Sequence, residues 1–240
     1  MIKQQLIYKD LAKYYDKVYN FKNYEKEVLS LKQLIKKYCK NSGKTMLDIA
    51  CGTGEHLKYI EKDFDCYGID INKPMLDIAK RKLKRTKLVA GNMTNFKIGK
   101  RFDIVTCLFS SIGYVKTYSN LEKTLKNIYN HLSDKGIVVL DFWFNKSNYF
   151  VGLPSMTTYD SPDLKIARLS MSKIKGNISI MEMQYLIAEK NKDIKHFSER
   201  HELGLFEYDR IIKIMNKIGF KTYFIKNGLN KKRNICVGVR

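Results

Sequence analysis

The sequence predicts an α/β fold, a parallel sheet with helices on both faces and an antiparallel β meander inserted after the fifth strand. Three observations carry this. From residue 23 to about 144, apolar residues recur alternately at strand and helix spacing, the mark of successive βαβ units. From 164 to 206 the period becomes two, with polar turns between the runs. The last stretch returns to one helix and two short apolar strands that close the sheet.

The elements follow in order. "YEKEVLSLKQLIKKY" (24–38) has a helical apolar stripe, "KTMLDIA" (44–50) is a short buried strand, and "EHLKYIEKD" is a helix. "CYGIDI" (66–71) is a second strand, followed by a helix over 73–84 with Pro74 in its first turn. "KLVAG" is a brief third strand, "FDIVTCLF" (102–109) a fourth, 120–132 a helix and "GIVVLDFWF" (136–144) a fifth strand. "LKIARLSMSKI", "NISIMEMQYLIAEK" and "DIKHFSERHELGLF" form the meander, joined by "KGN" and "KNKD". A helix over 207–220 stops at Gly219, and "TYFI" and "NICVGV" are the closing strands.

At 240 residues the chain is expected to be one domain, with a core over 23–144 and 205–240 and an insertion over 150–204. There is no apolar run of about 18 residues and no signal-peptide stretch, so a cytoplasmic location is expected. Five scattered cysteines without a C-x-x-C pair argue for reduced thiols and against zinc. The net charge of +21 raises the question of a nucleic-acid partner. Only eight of the 45 basic residues are arginine, however, and the lysines spread along the whole chain. That pattern reads as compositional bias, so nucleic acid stays open but disfavoured. A homodimer is compatible with the sequence.

The stretch "MLDIACGTGEH" (46–56) ends a strand in a glycine turn that opens a helix. In open parallel sheets, ligands bind beyond the carboxyl ends of the strands. Gly52 and Gly54 let backbone approach a ligand closely, and Asp70 ends the next strand, where a carboxylate can accept from both ribose hydroxyls. A Walker loop would need a lysine that is missing. A dinucleotide loop would want a third glycine where Leu57 stands, and Glu55 would repel a pyrophosphate. S-adenosyl-L-methionine, a sulfonium without phosphate, suits the acid-flanked loop. Asn92 and Met93 in "GNMTNF" can meet its adenine, and Leu108 and Phe109 end the fourth strand beside the transferable methyl.

"LDIACGTGEHL", "GIDIN", "GNMTNF" and "FDIVTCLFSSIGY" resemble the successive motifs of class I S-adenosylmethionine-dependent methyltransferases, which implies a Rossmann-like sheet. "CLFSSIGYVKT", "IVVLDFWF", "GNISIMEMQYLIAE", "IKHFSERHELGLF" and "RNICVGV" resemble the nucleotide-sugar N,N-dimethyltransferases, which act on dTDP-amino-dideoxy sugars. The resemblance runs from about Tyr8 to Val239. It implies that Tyr15 and Tyr24 reach the methionine end of the cofactor, with Ala50, Gly52, Gly54, Asp70, Ile71, Asn92, Met93 and Leu108 around the rest. On the sugar side it implies Tyr8 and Trp143, with Tyr114 orienting the reacting amine and Arg168 and Arg233 meeting the diphosphate. Two positions depart from the family. Asn92 stands where an Asp is usual, and Asp141 to Lys146 replace "E-P-W-W-F-P", which bears on the identity of the sugar.

The expected activity is therefore N-methylation of a small molecule, a nucleotide-linked amino sugar first. The alternatives are another small-molecule acceptor, RNA, or a non-catalytic cofactor-binding protein of the same fold. His196 and His201 are five apart in one strand and so on opposite faces. A structural or surface role is the favoured reading for them.

Overall fold

The computed structural model describes residues 3–229 and 233–240. The chain opens on a two-residue strand, β1 (Lys3–Gln4), two 3-10 turns (Leu6–Tyr8 and Ala12–Tyr14) and a one-turn helix, α1 (Tyr15–Val18). The core then alternates α2 (Tyr24–Tyr38), β2 (Thr45–Ile49), α3 (Glu55–Ile60), β3 (Asp65–Asp70), α4 (Lys73–Lys82), β4 (Lys87–Ala90), β5 (Phe102–Cys107), α5 (Tyr118–Asn130) and β6 (Leu132–Asp141). Four long strands follow: β7 (Ser155–Ser161), β8 (Leu164–Lys175), β9 (Ile178–Glu189) and β10 (Lys195–Gly204). The chain closes with α6 (Tyr208–Ile218), β11 (Lys221–Ile225) and β12 (Ile235–Val239).

Seven strands form the larger sheet, in the order β11-β12-β6-β5-β2-β3-β4. β2, β3, β4, β5 and β6 run parallel, while β12 is antiparallel to both β6 and β11. Helices on both faces leave the central strands without solvent, which is why Met46, Leu47 and Ile49 are buried without alternation and all of β5 is buried, its Asp103 and Thr106 included. The strand order reverses at β2, whose two parallel neighbours lie on opposite sides of it. Local signals hold the helices in register: Asn23 caps α2 by accepting from Lys26 N at 2.9 Å, and Thr117 caps α5 by accepting from Asn120 N. Among the described residues, no helix is long and apolar enough to cross a membrane.

The second sheet, β1-β10-β9-β8-β7, is larger than the three-run meander. β7 adds an edge strand, and β1 pairs parallel with β10. Its inner face carries Ile166, Met183, Tyr185 and Ile187, packed on Leu6, Ile7, Leu11, Tyr14, Tyr15 and Val18 of the N-terminal segment. Leu169, Met171 and Leu186 alternate onto the exposed outer face. Two boundaries also differ from expectation. The helix expected over 120–132 ends at Asn130, because Leu132 already pairs with Phe102. The fifth strand ends at Asp141 instead of running to 144, because Phe142 turns into the core and Trp143 Nε1 donates to Ser179 Oγ.

Candidate active site

A cavity of about 620 Å³ opens where the carboxyl ends of the parallel strands face the inner side of the second sheet. Each strand end contributes to its wall: Ala50 and Gly52 after β2, Asp70 and Ile71 at β3, Asn92 and Met93 after β4, Phe109 after β5 and Trp143 after β6. The backbone here is held where side chains rarely go. Ala50, Phe109 and Ser110 have φ of 57°, 51° and 60°, and Gly52 has 57°. Non-glycine residues in the left-handed region cost about 1–3 kcal/mol each, and they persist mainly where function requires the shape.

Asp70 organises the glycine loop. Its Oδ2 accepts from Gly52 N at 2.9 Å, and its Oδ1 accepts from Asn72 N at 2.8 Å and from Asn72 Nδ2 at 3.2 Å. Burial pushes its carboxyl up from the ordinary value, against the pull of those donors. A carboxylate fixed by backbone at the rim of a glycine turn, with Ala50 and Gly52 offering close backbone approach, is a donor set that fits a ribose and an amino-acid end. Asn92 uses its Oδ1 to hold Thr94 N at 3.0 Å and Thr94 Oγ1 at 2.9 Å, which aims the rest of its amide away from that turn.

The opposite wall is aromatic and basic. Tyr8 and Tyr114 meet hydroxyl to hydroxyl at 2.8 Å. Burial holds both well above the ordinary phenol range, so both are protonated at neutral pH. Tyr15 stacks between Tyr8 and Tyr19, with centroids at 5.9 and 4.8 Å. Arg168 is buried, with Nη2 donating to Thr157 Oγ1 at 2.9 Å and its guanidinium 5.1 Å from the Tyr19 ring centre. Its Nε and Nη1 have no hydrogen-bond partner among the described residues. Arg233 meets Ser110 Oγ and lies 5.1 Å from the Trp143 ring centre and 5.4 Å from that of Phe109. Behind it, burial raises Asp141 to about 6 even though Arg233 pulls the other way.

Of the residues singled out from sequence, Tyr8, Tyr15, Ala50, Gly52, Asp70, Ile71, Asn92, Met93, Tyr114, Trp143, Arg168 and Arg233 all line this cavity. Three stand elsewhere. Gly54 caps α3 beneath Leu83, and Leu108 is turned into the core. Tyr24 faces a smaller adjoining cleft with Asp16, Glu55 and Tyr59, its ring edge-on to His56 at 5.0 Å. Sequence reasoning did not assign to the site Tyr19, which lines both clefts, or His201 in the main one; Phe109, expected with Leu108 at the end of the fourth strand, does line the main cavity. His201 is buried at 2% exposure beside Tyr114, whereas His196 reaches Gln184 on the exposed outer face.

The family model described as a methyltransferase domain matches residues 46–136, which hold the glycine loop and Asp70. A dTDP-3-amino-3,6-dideoxy-alpha-D-glucopyranose N,N-dimethyltransferase of Streptomyces fradiae is 30% identical over 91% of this chain and 87% of its own length. The chain belongs to the sugar N,N-dimethyltransferase family. It is accordingly an S-adenosylmethionine-dependent methyltransferase of the class I fold. Among solved structures of this family's fold, Streptomyces venezuelae DesVI superposes with a TM-score of 0.89 at 30% identity, over 95% of this chain and 97% of its own. CalS10, an amino pentose methyltransferase of Micromonospora echinaspora solved with S-adenosylmethionine bound, gives 0.82 at 25% identity, over 91% and 92%.

Proposed function

We propose that this methyltransferase transfers methyl groups to the amino nitrogen of a nucleotide-linked amino sugar. The observation that carries the reading is Arg168, a guanidinium in the cavity wall with two buried nitrogens unsatisfied. A buried charge that is not matched by an opposite charge is costly, and the unpaired part of a planar fork of donors suits an oxygen-rich anion. The diphosphate of a nucleotide sugar supplies that anion, with Arg233 as second cation on the same wall. The whole chain is read as one methyltransferase domain, with 150–204 forming the substrate side.

When bound, the cofactor supplies a methyl already activated on a sulfonium. The chain's own task is then alignment, and well-placed reactants can account for about 7–11 kcal/mol of barrier. Gly52, Ala50 and Asp70 hold the amino-acid and ribose portions, Tyr15 covers the methionine end, and Asn92 and Met93 meet the adenine. Tyr8 and Tyr114, both neutral, accept from the N–H bonds of the substrate amine and aim its lone pair. Trp143 walls the sugar, its indole held by Ser179.

The reading is tested by incubating the purified protein and S-adenosylmethionine with dTDP-3-amino and dTDP-4-amino sugars and weighing the products. Singly and doubly methylated sugars are expected from at least one member, and no methylated product from any would sink it.

A further inference from the structure

Behind Tyr114 lies a buried polar chain that the alignment mechanism leaves unused. Tyr114 OH is 2.6 Å from His201 Nδ1. On its far side, His201 Nε2 lies 3.1 Å from Glu199 Oε1, an ion-pair approach whose angle falls outside hydrogen-bond geometry. Glu199 is fully buried and fixed independently: Tyr185 OH donates to Oε1 at 2.6 Å and Ile7 N donates to Oε2 at 2.8 Å. Residues two apart in β10 place Glu199 and His201 on one face of the strand.

We infer that His201 is a positioning residue that orients the Tyr114 hydroxyl and takes up, through it, the proton released when the amine is methylated. This rests on the amine-methylation reading above. The Glu199 carboxylate favours a proton on Nε2, which leaves Nδ1 as an acceptor. Tyr114 then donates to Nδ1 and turns its oxygen lone pairs toward Tyr8 and the cavity, where a substrate N–H can donate. Methylation leaves an alkylammonium. Its N–H proton passes to the Tyr114 oxygen as the Tyr114 proton passes to Nδ1, so the tyrosine ends neutral and the amine regains its lone pair for a second methyl. The imidazolium so formed sits beside Glu199 and loses its proton to water by the reverse path. The groups facing His201 are Tyr8 from the turn Leu6–Tyr8, Tyr114 from a 3-10 turn after β5 (Ser111–Val115) and Glu199 on its own strand. Tyr185 on β9 faces Glu199, and Arg168 pairs across from Tyr185 on β8.

Two measurements test it. In the ligand-free protein with isotope-labelled histidine, nitrogen NMR should find His201 Nδ1 unprotonated near neutral pH. Tyr114→Phe should move that resonance and leave the other three histidines in place. A protonated Nδ1, or no response to Tyr114→Phe, overturns the assignment whatever the acceptor proves to be. In turnover, His201→Asn, which retains an acceptor but cannot hold a proton, should lower kcat about tenfold or more with little change in KM for the nucleotide sugar. Its kcat/KM should keep rising to a higher pH than that of wild type, toward the pKa of the free amine. A pH profile parallel to wild type would mark His201 as merely structural, and the Tyr114→Phe/His201→Asn pair should be no slower than Tyr114→Phe alone. Failure of wild type to methylate any amino sugar would instead count against the substrate reading, and the NMR result would still decide the hydrogen bond.

Discussion

Asp70 does two jobs with one carboxylate, holding the glycine loop through Gly52 N and facing the cavity. Replacing it with Asn keeps the size but removes charge and one acceptor, so S-adenosylmethionine affinity should fall about tenfold to a hundredfold, as calorimetry would report. Asp48, on the neighbouring strand β2, is buried without facing the cavity, and burial lifts its carboxyl to about 6 although Thr106 Oγ1 donates to it at 2.6 Å. In the unfolded chain it titrates near 3.8. Between those values the native state holds the extra proton, so this group lowers stability as pH rises from about 4 to about 6, and the loss persists above. Asp48→Asn should therefore melt higher than wild type at pH ~8 and alike at pH ~4; a stabilisation independent of pH would refute this. Asp70 was placed at the cavity by its position at the end of β3, beside the glycine loop, whereas Arg168, in the middle of β8, and Arg233, ahead of β12, were singled out only through the family resemblance. His201 was not, because its meaning depends on Tyr114, a contact across 87 residues that no local pattern encodes.

At the scale of elements, strongly patterned strands and helices were readable and edges were not. β5 and β12 are buried and largely apolar, with Asp103 and Thr106 of β5 as the polar exceptions. β7, "SMTTYDS", lies at the edge of its sheet and alternates between exposed and half-buried residues, so its hydrophobic signal is weak. β1 is two residues long and owes its pairing to β10. The entry to α3 shows how one residue sets an element. Gly54 caps it at φ 78°, and a Cβ there would stand 2.7 Å from Leu83 Cδ1 of the α4 end. Gly54→Ala should cost about 1–2 kcal/mol in denaturant unfolding from the left-handed backbone alone, with the leucine clash added. An unchanged midpoint would mean that the loop relaxes freely.

Across the whole molecule, two sheets close around one cavity, the larger bringing the glycine loop and acid and the smaller bringing Arg168 and His201, with Tyr8 and Tyr15 from the N-terminal segment and Tyr114 from the turn after β5. The chain as a whole carries a net charge of +21. A strongly basic protein steers anions over distances that salt screens within about 10 Å at 0.1 M. The KM for a dTDP-sugar should therefore rise several-fold between about 0.05 and 0.5 M salt, while that for the cationic cofactor rises less. Equal salt responses would place the charge outside the recognition of substrate. The central claim is that Arg168 holds the diphosphate of the acceptor while the glycine loop and Asp70 hold the methyl donor. Steady-state kinetics of Arg168→Gln with both ligands varied tests it most directly. The account predicts a KM for the dTDP-amino sugar raised about tenfold to a hundredfold with S-adenosylmethionine affinity unchanged. An unaltered sugar KM, or a loss confined to the cofactor, would contradict it.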